Sequence, residues 1–389
     1  MNPSAADFGS TPRSVVSTYS DPDPILTRAI DDLWCGDFQA RWDATKVIQT
    51  YGERAIAPIL AAIRDDALAA DDEPDEELLW FLARLFGDWR GAEAIAALTD
   101  LLATTSDDDA IAMVAAALAK QGEAAIAPLT DMLTQPARRF AAYRALACIP
   151  HPDVLPLLRA AATDLDATIR EIALEALGRW RDRDAARFLL VALSDPVAAV
   201  RRVAIEGMST QLTLERNPNT LEAWLETISH CLDDLDLQVA EKAAFALSRS
   251  PSPRAIELLG AHLQTERVPV RLQCAIARSL VWIATPASLH DLQRALPQLA
   301  PAAYQEAIAA LGRLDVAELR PMATEILLTV LSETESLSSE CRAAIAHGLG
   351  QLNQVRSLSA LKGLACDSEE RVRWHAISAI ERLSAVADC

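Results

Sequence analysis

The chain has 389 residues, with 55 acidic against 36 basic and a net charge of −19. That balance argues against a phosphate backbone as principal partner, because binding one requires net basic surface. Hydrophobic residues make up 51% but aromatics only 5%, so Ala and Leu carry the apolar content and the composition is helical.

Met1 to Asp23 lacks the continuous apolar stretch of a signal peptide and reads as a short disordered tail, residues 1–23, ahead of one repeat domain, residues 24–389. Nowhere are there eighteen uninterrupted apolar residues, so no transmembrane segment is expected. Seven Cys residues, an odd number without a CxxC pair, fit reduced thiols in a cytoplasmic protein better than a disulfide framework. Cys274 and Cys341 read as small inward hydrophobes.

From Pro24 onward one pattern recurs: an apolar anchor, Arg, and apolar or small residues four, seven and eight positions after the anchor. The anchors fall at Ala40, Leu78, Ala110, Arg138, Ile169, Val200, Val239, Val270, Ala303, Cys341 and Val372. A repeat of about thirty residues marks an array in which each unit touches only its neighbours, so length does not count domains here. Each unit resolves into two helices. Helix A carries segments such as Ala55-Ile56-Ala57-Pro58-Ile59-Leu60, and helix B carries the anchor pattern, whose offsets form one buried stripe at 100° per residue. Asp37, Asp75, Asp107, Asp166 and Asp236 lie three residues before anchors, with Glu369 in the same place in the last copy, and predict N-caps for helix B. Arg41, Arg139, Arg170, Arg201, Arg271, Arg342 and Arg373 directly follow anchors and predict a polar ladder to Asp residues of neighbouring turns.

Three longer intervals read as solvated connectors: the acidic run Ala70 to Glu77, Thr210 to Thr220, and the Ser- and Glu-rich Ser332 to Ser339. No Gly-rich phosphate loop, HExxH or GxSxG is present, and no catalytic residue or cofactor is assigned. Cys148 with His151, and His230 with Cys231, fall short of the roughly four converging ligands of a metal site. Asp107-Asp108-Asp109 reads as a helix start, since it lacks the alternation and glycine of a calcium loop.

The tandem helix pairs, the Asp-x-x-apolar-Arg-x-x-Ala-x-x-Ala-Leu-Gly pattern and the prolines Pro58, Pro128, Pro156 and Pro321 together resemble HEAT repeats. The short Ala-rich unit ending in Leu-Gly is similar to the HEAT-like repeats of phycobilisome lyase proteins. That resemblance implies an all-α, right-handed α-solenoid of about eleven helix pairs, with the outer face of helix B lining a concave surface. It also implies a non-catalytic adaptor for a protein partner, a phycobiliprotein or an assembly factor among them. The alternative it carries is a bilin lyase or lyase-isomerase subunit, though no residue matches a lyase catalytic motif.

Offsets two and six from the anchor are neighbours on the outer face of helix B. They pair Trp42 with Lys46, Trp80 with Arg84, and Phe140 with Arg144. An aromatic beside a cation, three times in register, marks these six as the partner-binding candidates, because Trp, Tyr and Arg concentrate binding energy and such a pair can hold a planar anionic group. Further along, the face turns charged at Glu171 with Glu175 and at Arg202 with Glu206. It then turns apolar at Phe245 and at Leu272 with Ile276, and Trp374 restores an aromatic.

Overall fold

The computed structural model describes residues 23–69, 75–105, 107–180, 183–265, 267–333 and 337–387. The expected tail up to residue 22, and the core of the acidic run at 70–74, lie outside the described residues. Two compact units are formed, one ending at Ala176 and the other beginning at Leu177.

The first unit is built from α1 (Pro24–Cys35), α2 (Phe38–Tyr51), α3 (Ile56–Ala69), α4 (Glu76–Asp88), α5 (Ala92–Thr104) and α6 (Asp108–Gln121). These are followed by α7 (Ile126–Met132), α8 (Arg139–Cys148), α9 (Leu155–Ala161) and α10 (Ala167–Arg179), the last of which carries the boundary. The second unit continues with α11 (Arg183–Ala192), α12 (Ala198–Leu214), α13 (Pro218–Ser229), α14 (Leu237–Ser248), α15 (Pro253–Leu263) and α16 (Val270–Ile283). It ends with α17 (Pro286–Ala295), α18 (Pro301–Gly312), α19 (Arg320–Glu333), α20 (Ser339–Leu352), α21 (Leu358–Leu364) and α22 (Glu370–Ala387). Odd-numbered helices are the A helices and even-numbered ones the B helices. The described residues thus fold as an all-α solenoid of eleven helix pairs.

Within each unit the helices form two layers. B helices pack on following B helices, as α4 on α6 and α14 on α16, while A helices pack along their own layer, as α5 on α7 and α15 on α17. The anchor stripe explains this: Ala243, Ala246 and Leu247 of α14 are fully buried, as are Val114 and Leu118 of α6. The Leu-Gly ending has a steric reason. A Cβ on Gly178 would lie 2.8 Å from Gly207 Cα, and one on Gly312 would lie 2.5 Å from Gly348 Cα. Glycine at these crossings lets consecutive B helices touch backbone to backbone.

Helix starts follow the predicted caps. Asp37, Asp75 and Asp107 accept from the amides of Ala40, Leu78 and Ala110 at 2.9, 3.0 and 2.8 Å, and Asp236 accepts from Val239 at 3.1 Å. In the last copy it is Asp367, rather than Glu369, whose carboxylate is seen accepting at the turn, from the Glu369 amide at 2.9 Å. Pro58, Pro128, Pro156 and Pro321 sit in the first turns of α3, α7, α9 and α19, where a missing N–H costs nothing.

The Arg ladder forms, to Asp residues of neighbouring turns as expected. Arg41 donates to Asp75 at 2.5 Å and Arg201 to Asp234 at 2.7 Å. Arg342 donates to Asp367 at 2.7 Å, and Arg139 pairs with Asp164. Asp164, Asp234 and Asp367 lie five residues before their anchors and also accept from the amide two residues on. One side chain therefore shapes its own turn and receives the neighbouring repeat.

One copy is misregistered. Val270 is 45% exposed while Leu272 is 1% exposed, and Ile276 and Leu280 are fully buried. The anchor of α16 is Leu272, so Leu272 and Ile276 belong to the core and not to the outer face. Val270 and Leu272 flank Arg271 and are equally apolar, but with Pro269 as the N-cap Val270 opens the helix facing outward while Leu272 turns inward. Arg271 consequently misses the ladder and pairs with Glu241 at 2.9 Å. Gln273 takes its place, donating to the Val268 carbonyl at 3.0 Å and accepting from the Ala300 amide at 2.8 Å. The same shift makes Cys274 half-buried rather than inward, whereas Cys341 is buried.

The run Asp108–Met132 has the length and hydropathy to cross a membrane. It is interrupted at Gly122, which adopts φ 64° and ends α6, and its Leu118 and Leu129 are fully buried against neighbouring helices. We read it as a core helix pair.

Candidate functional site

Four of the six predicted residues meet on the outer face of α2 and α4. Trp42 and Trp80 lie at the same offset on consecutive B helices, so packing α2 against α4 stacks their rings at 6.2 Å with 19° between planes. Arg84, one turn after Trp80, sets its guanidinium carbon 4.7 Å from the Trp42 ring centre and 5.4 Å from that of Trp80. Lys46 lies 5.8 Å from Trp42 and pairs with Asp43 at 2.8 Å. Phe38 extends the stack from the other side at 6.2 Å, and the buried Phe81 supports both Trp rings edge-on. Phe38 opens α2 at an offset outside the two-and-six rule, which is why the sequence pattern missed it.

Arg84 forms no ion pair with a carboxylate among the described residues. A cation held on two indole faces, in a chain of net charge −19, is an anion-accepting position. Beside it a groove of about 320 Å³ opens between α4 and α6, lined by Trp80, Ala83, Arg84, Met113, Ala116 and Ala117. The groove exists because α6 presents only small residues at the outer offsets, Ala112 and Ala116. Its rim is fixed by Asp88, which accepts from Lys120 at 2.9 Å and from Gln49 at 3.2 Å, tying three B helices together.

Phe140 and Arg144 stand apart from this cluster. They occupy the equivalent offsets of α8, beyond α6, half-buried and, among the described residues, in no ring contact or ion pair with the Trp pair. Trp374 is 74% exposed on α22, in the second unit.

Other clusters carry less. His151 has Glu123 at 3.8 Å from Nε2 and Asp153 at 3.6 Å from Nδ1. Its two ring nitrogens thus face different carboxylates, the arrangement of an ion cluster more than of a metal centre in which one nitrogen and both acids converge. A cavity of about 580 Å³ between α5 and α7 is lined by Ile95, Ala96, Thr99, Gln121 and Pro128. Of its polar groups, Thr99 is committed to the Ile95 carbonyl, Gln121 to the Trp89 carbonyl at 2.8 Å and Arg90 to the Lys120 carbonyl at 2.7 Å. Burial pushes the Cys231 thiol up to about 11, which keeps it protonated and unreactive.

Residues 134–209 match the family model for HEAT repeats. No curated protein matches the chain. Among solved structures it is similar to Kap121p bound to Pho4p, at 14% identity and a TM-score of 0.55, over 93% of this chain and 49% of that one. The chain thus spans about half the length of Kap121p. It is also similar to an engineered protein at 19% identity and TM-score 0.36, covering 93% of this chain and 99% of that one. Human deoxyhypusine hydroxylase matches at 20% identity and TM-score 0.30, over 67% and 96%. At these identities the likeness concerns the fold: an α-solenoid. Within it, the stretch from 134 to 209 carries repeats of the HEAT type.

Proposed function

We propose that this chain is a non-catalytic protein-binding module whose first unit takes its partner on the outer face of the B helices. The observation that supports this most is the Trp42–Trp80–Arg84 stack: large rigid aromatics with an unpaired guanidinium beside a groove, the residue types that dominate interfaces. Arg84 receives an acidic group, the groove receives an apolar side chain, and Lys46 and Lys120 on the rim raise the association rate. Phe140 and Arg144 extend the same surface across α6. Kap121p, solved bound to Pho4p, is a precedent for a protein partner on such a fold. The similarity of the repeats to those of phycobilisome lyase proteins makes a phycobiliprotein, in the cytoplasm, the first partner to test.

A photo-crosslinking residue at Met113, compared with one at Ala96 on the A layer, tests the face. The expected result is a crosslinked protein from position 113 only, lost when Trp42 and Trp80 are both changed to Ala. Equal crosslinking from both layers, or persistence in the double variant, would sink the proposal. The rival reading of the Trp pair, a platform for a tetrapyrrole, predicts visible absorbance that co-purifies with the protein and disappears in the same variant.

A further inference from the structure

We infer that the second unit carries a second docking station, at Phe245, Arg278 and Trp282, for a peptide segment that places an acidic residue next to an aromatic or apolar one. Corrected to the Leu272 anchor, Arg278 stands at offset six of α16, the offset of Arg84 on α4. An aromatic lies one helical turn from each Arg: Trp80 four residues before Arg84, Trp282 four residues after Arg278. A second aromatic comes from the preceding B helix, Trp42 in one case and Phe245 in the other. The composition of the first station thus recurs on other helices with the aromatics rearranged.

The local geometry is that of an open receptor. Phe245 and Trp282 meet edge to face at 6.0 Å, yet remain 48% and 65% exposed. Large aromatics left this open on adjacent helices form an apolar surface awaiting cover. They wall a groove of about 200 Å³ whose floor is Ala275 and Ser279 and whose rims are Glu241 and Arg278. Arg278 is exposed, and its guanidinium forms neither an ion pair nor a hydrogen bond among the described residues. Its acidic neighbours are already engaged: Glu241 with Arg271 at 2.9 Å, and Glu306 with Arg313 at 3.1 Å.

These facts select the occupant. A groove of this size holds one side chain, not a fused or linear ring system. A single free guanidinium in a strongly acidic chain accepts one carboxylate and repels a polyanion. Glu241 on the opposite rim disfavours a second acid there and accepts backbone N–H groups. The site therefore fits an extended peptide with one aromatic or large apolar side chain between Phe245 and Trp282, and a neighbouring Asp or Glu on Arg278. This station stands on its own residues and does not require the first unit's site to bind anything.

The test uses the full chain labelled with 5-fluorotryptophan, with the Trp282 fluorine resonance assigned through W282F. The probe is the blocked peptide acetyl-Gly-Ser-Phe-Asp-Ser-Gly-amide, with the Asn-for-Asp peptide as its control. The expected result is a saturable shift of the Trp282 resonance with the Asp peptide, at least about tenfold weaker binding of the Asn peptide, and a loss of about tenfold in R278Q. F245A should abolish the response while helicity is unchanged. A silent Trp282, equal binding of the two peptides, an unaffected R278Q, or an equal shift at the buried Trp89 would each overturn the inference. So would an oligothymidylate that shifts Trp282 where the peptide does not. The Trp42 and Trp80 resonances report separately: their silence with a responding Trp282 would count against the first unit's site and leave this one standing.

Discussion

Two turns of the second unit solve the same problem by different chemistry. Before α14, Asp234 accepts two bonds from Arg201 at 2.7 Å while also accepting from the Asp236 amide. Before α18 there is no carboxylate in that place, and Gln273 joins the Val268 carbonyl to the Ala300 amide instead. The bridge between repeats is therefore a hydrogen-bonding fixture first and an ion pair second. What the charged version adds is strength and sensitivity to acid.

The greatest loss of stability is expected at the register that makes Gln273 the bridging residue. Leu272→Ala should cost about 3 kcal/mol in denaturant unfolding, while Val270→Ala should stay within about 0.5 kcal/mol. Similar losses at both positions would restore Val270 as anchor and remove Gln273 from its role. Next in size, Asp234→Ala should cost about 2 kcal/mol, because it strands the largely buried Arg201. Gln273→Leu should cost about 1 kcal/mol, since the loss involves neutral partners only. If the glutamine variant were the more damaging of the two, charge would contribute nothing to the ladder.

The smallest effect is the pH dependence. The bond from Arg342 holds Asp367 below its ordinary value of 3.8. For Asp234, burial raises the pKa, but the bonds from Arg201 and the Asp236 amide outweigh it and the net shift is downward. A depressed folded-state pKa gives stability that is fully present above the unfolded value and is lost as pH falls through the folded one. Unfolding free energy should thus decline from just above 3.8 downward, and D234N should flatten that decline. Gln273→Leu should shift the whole curve without changing its slope.

The fold was legible because it rests on a periodicity repeated eleven times, and a buried stripe of Ala and Leu leaves little ambiguity about which helix face turns inward. The Arg ladder was half legible. Its donors follow the anchors directly, but its acceptors sit in the turns, and only the path of the chain brings Asp234 under Arg201. The slip at Leu272 arose where Val270 and Leu272, equally apolar, flank Arg271, a choice that packing makes and pattern cannot. In the candidate site, offset arithmetic brought Trp42, Lys46, Trp80 and Arg84 to one face. It could not show that Arg84 would lie across both indoles, that Phe38 would join them, or that Ala116 would leave the groove. It also hid the Phe245–Trp282 station, since Trp282 lies a full turn beyond the offsets considered.

The double duty of the turn aspartate bears on how such an array grows. A turn Asp receives the Arg of the repeat before it while holding its own turn, and an Arg on a B helix, as Arg201 on α12, reaches into the repeat after it. A new seam that brings an Arg-bearing B helix to an Asp-bearing turn, as Arg201 meets Asp234, orphans neither charge, whereas α14 has Ala240 where such an Arg would stand. The Gln273 junction is more permissive still, since Ala300 offers only a backbone amide that any residue but proline would supply. Gene duplication can thus lengthen the molecule one helix pair at a time wherever the copied pair brings both a turn Asp and a helix B Arg.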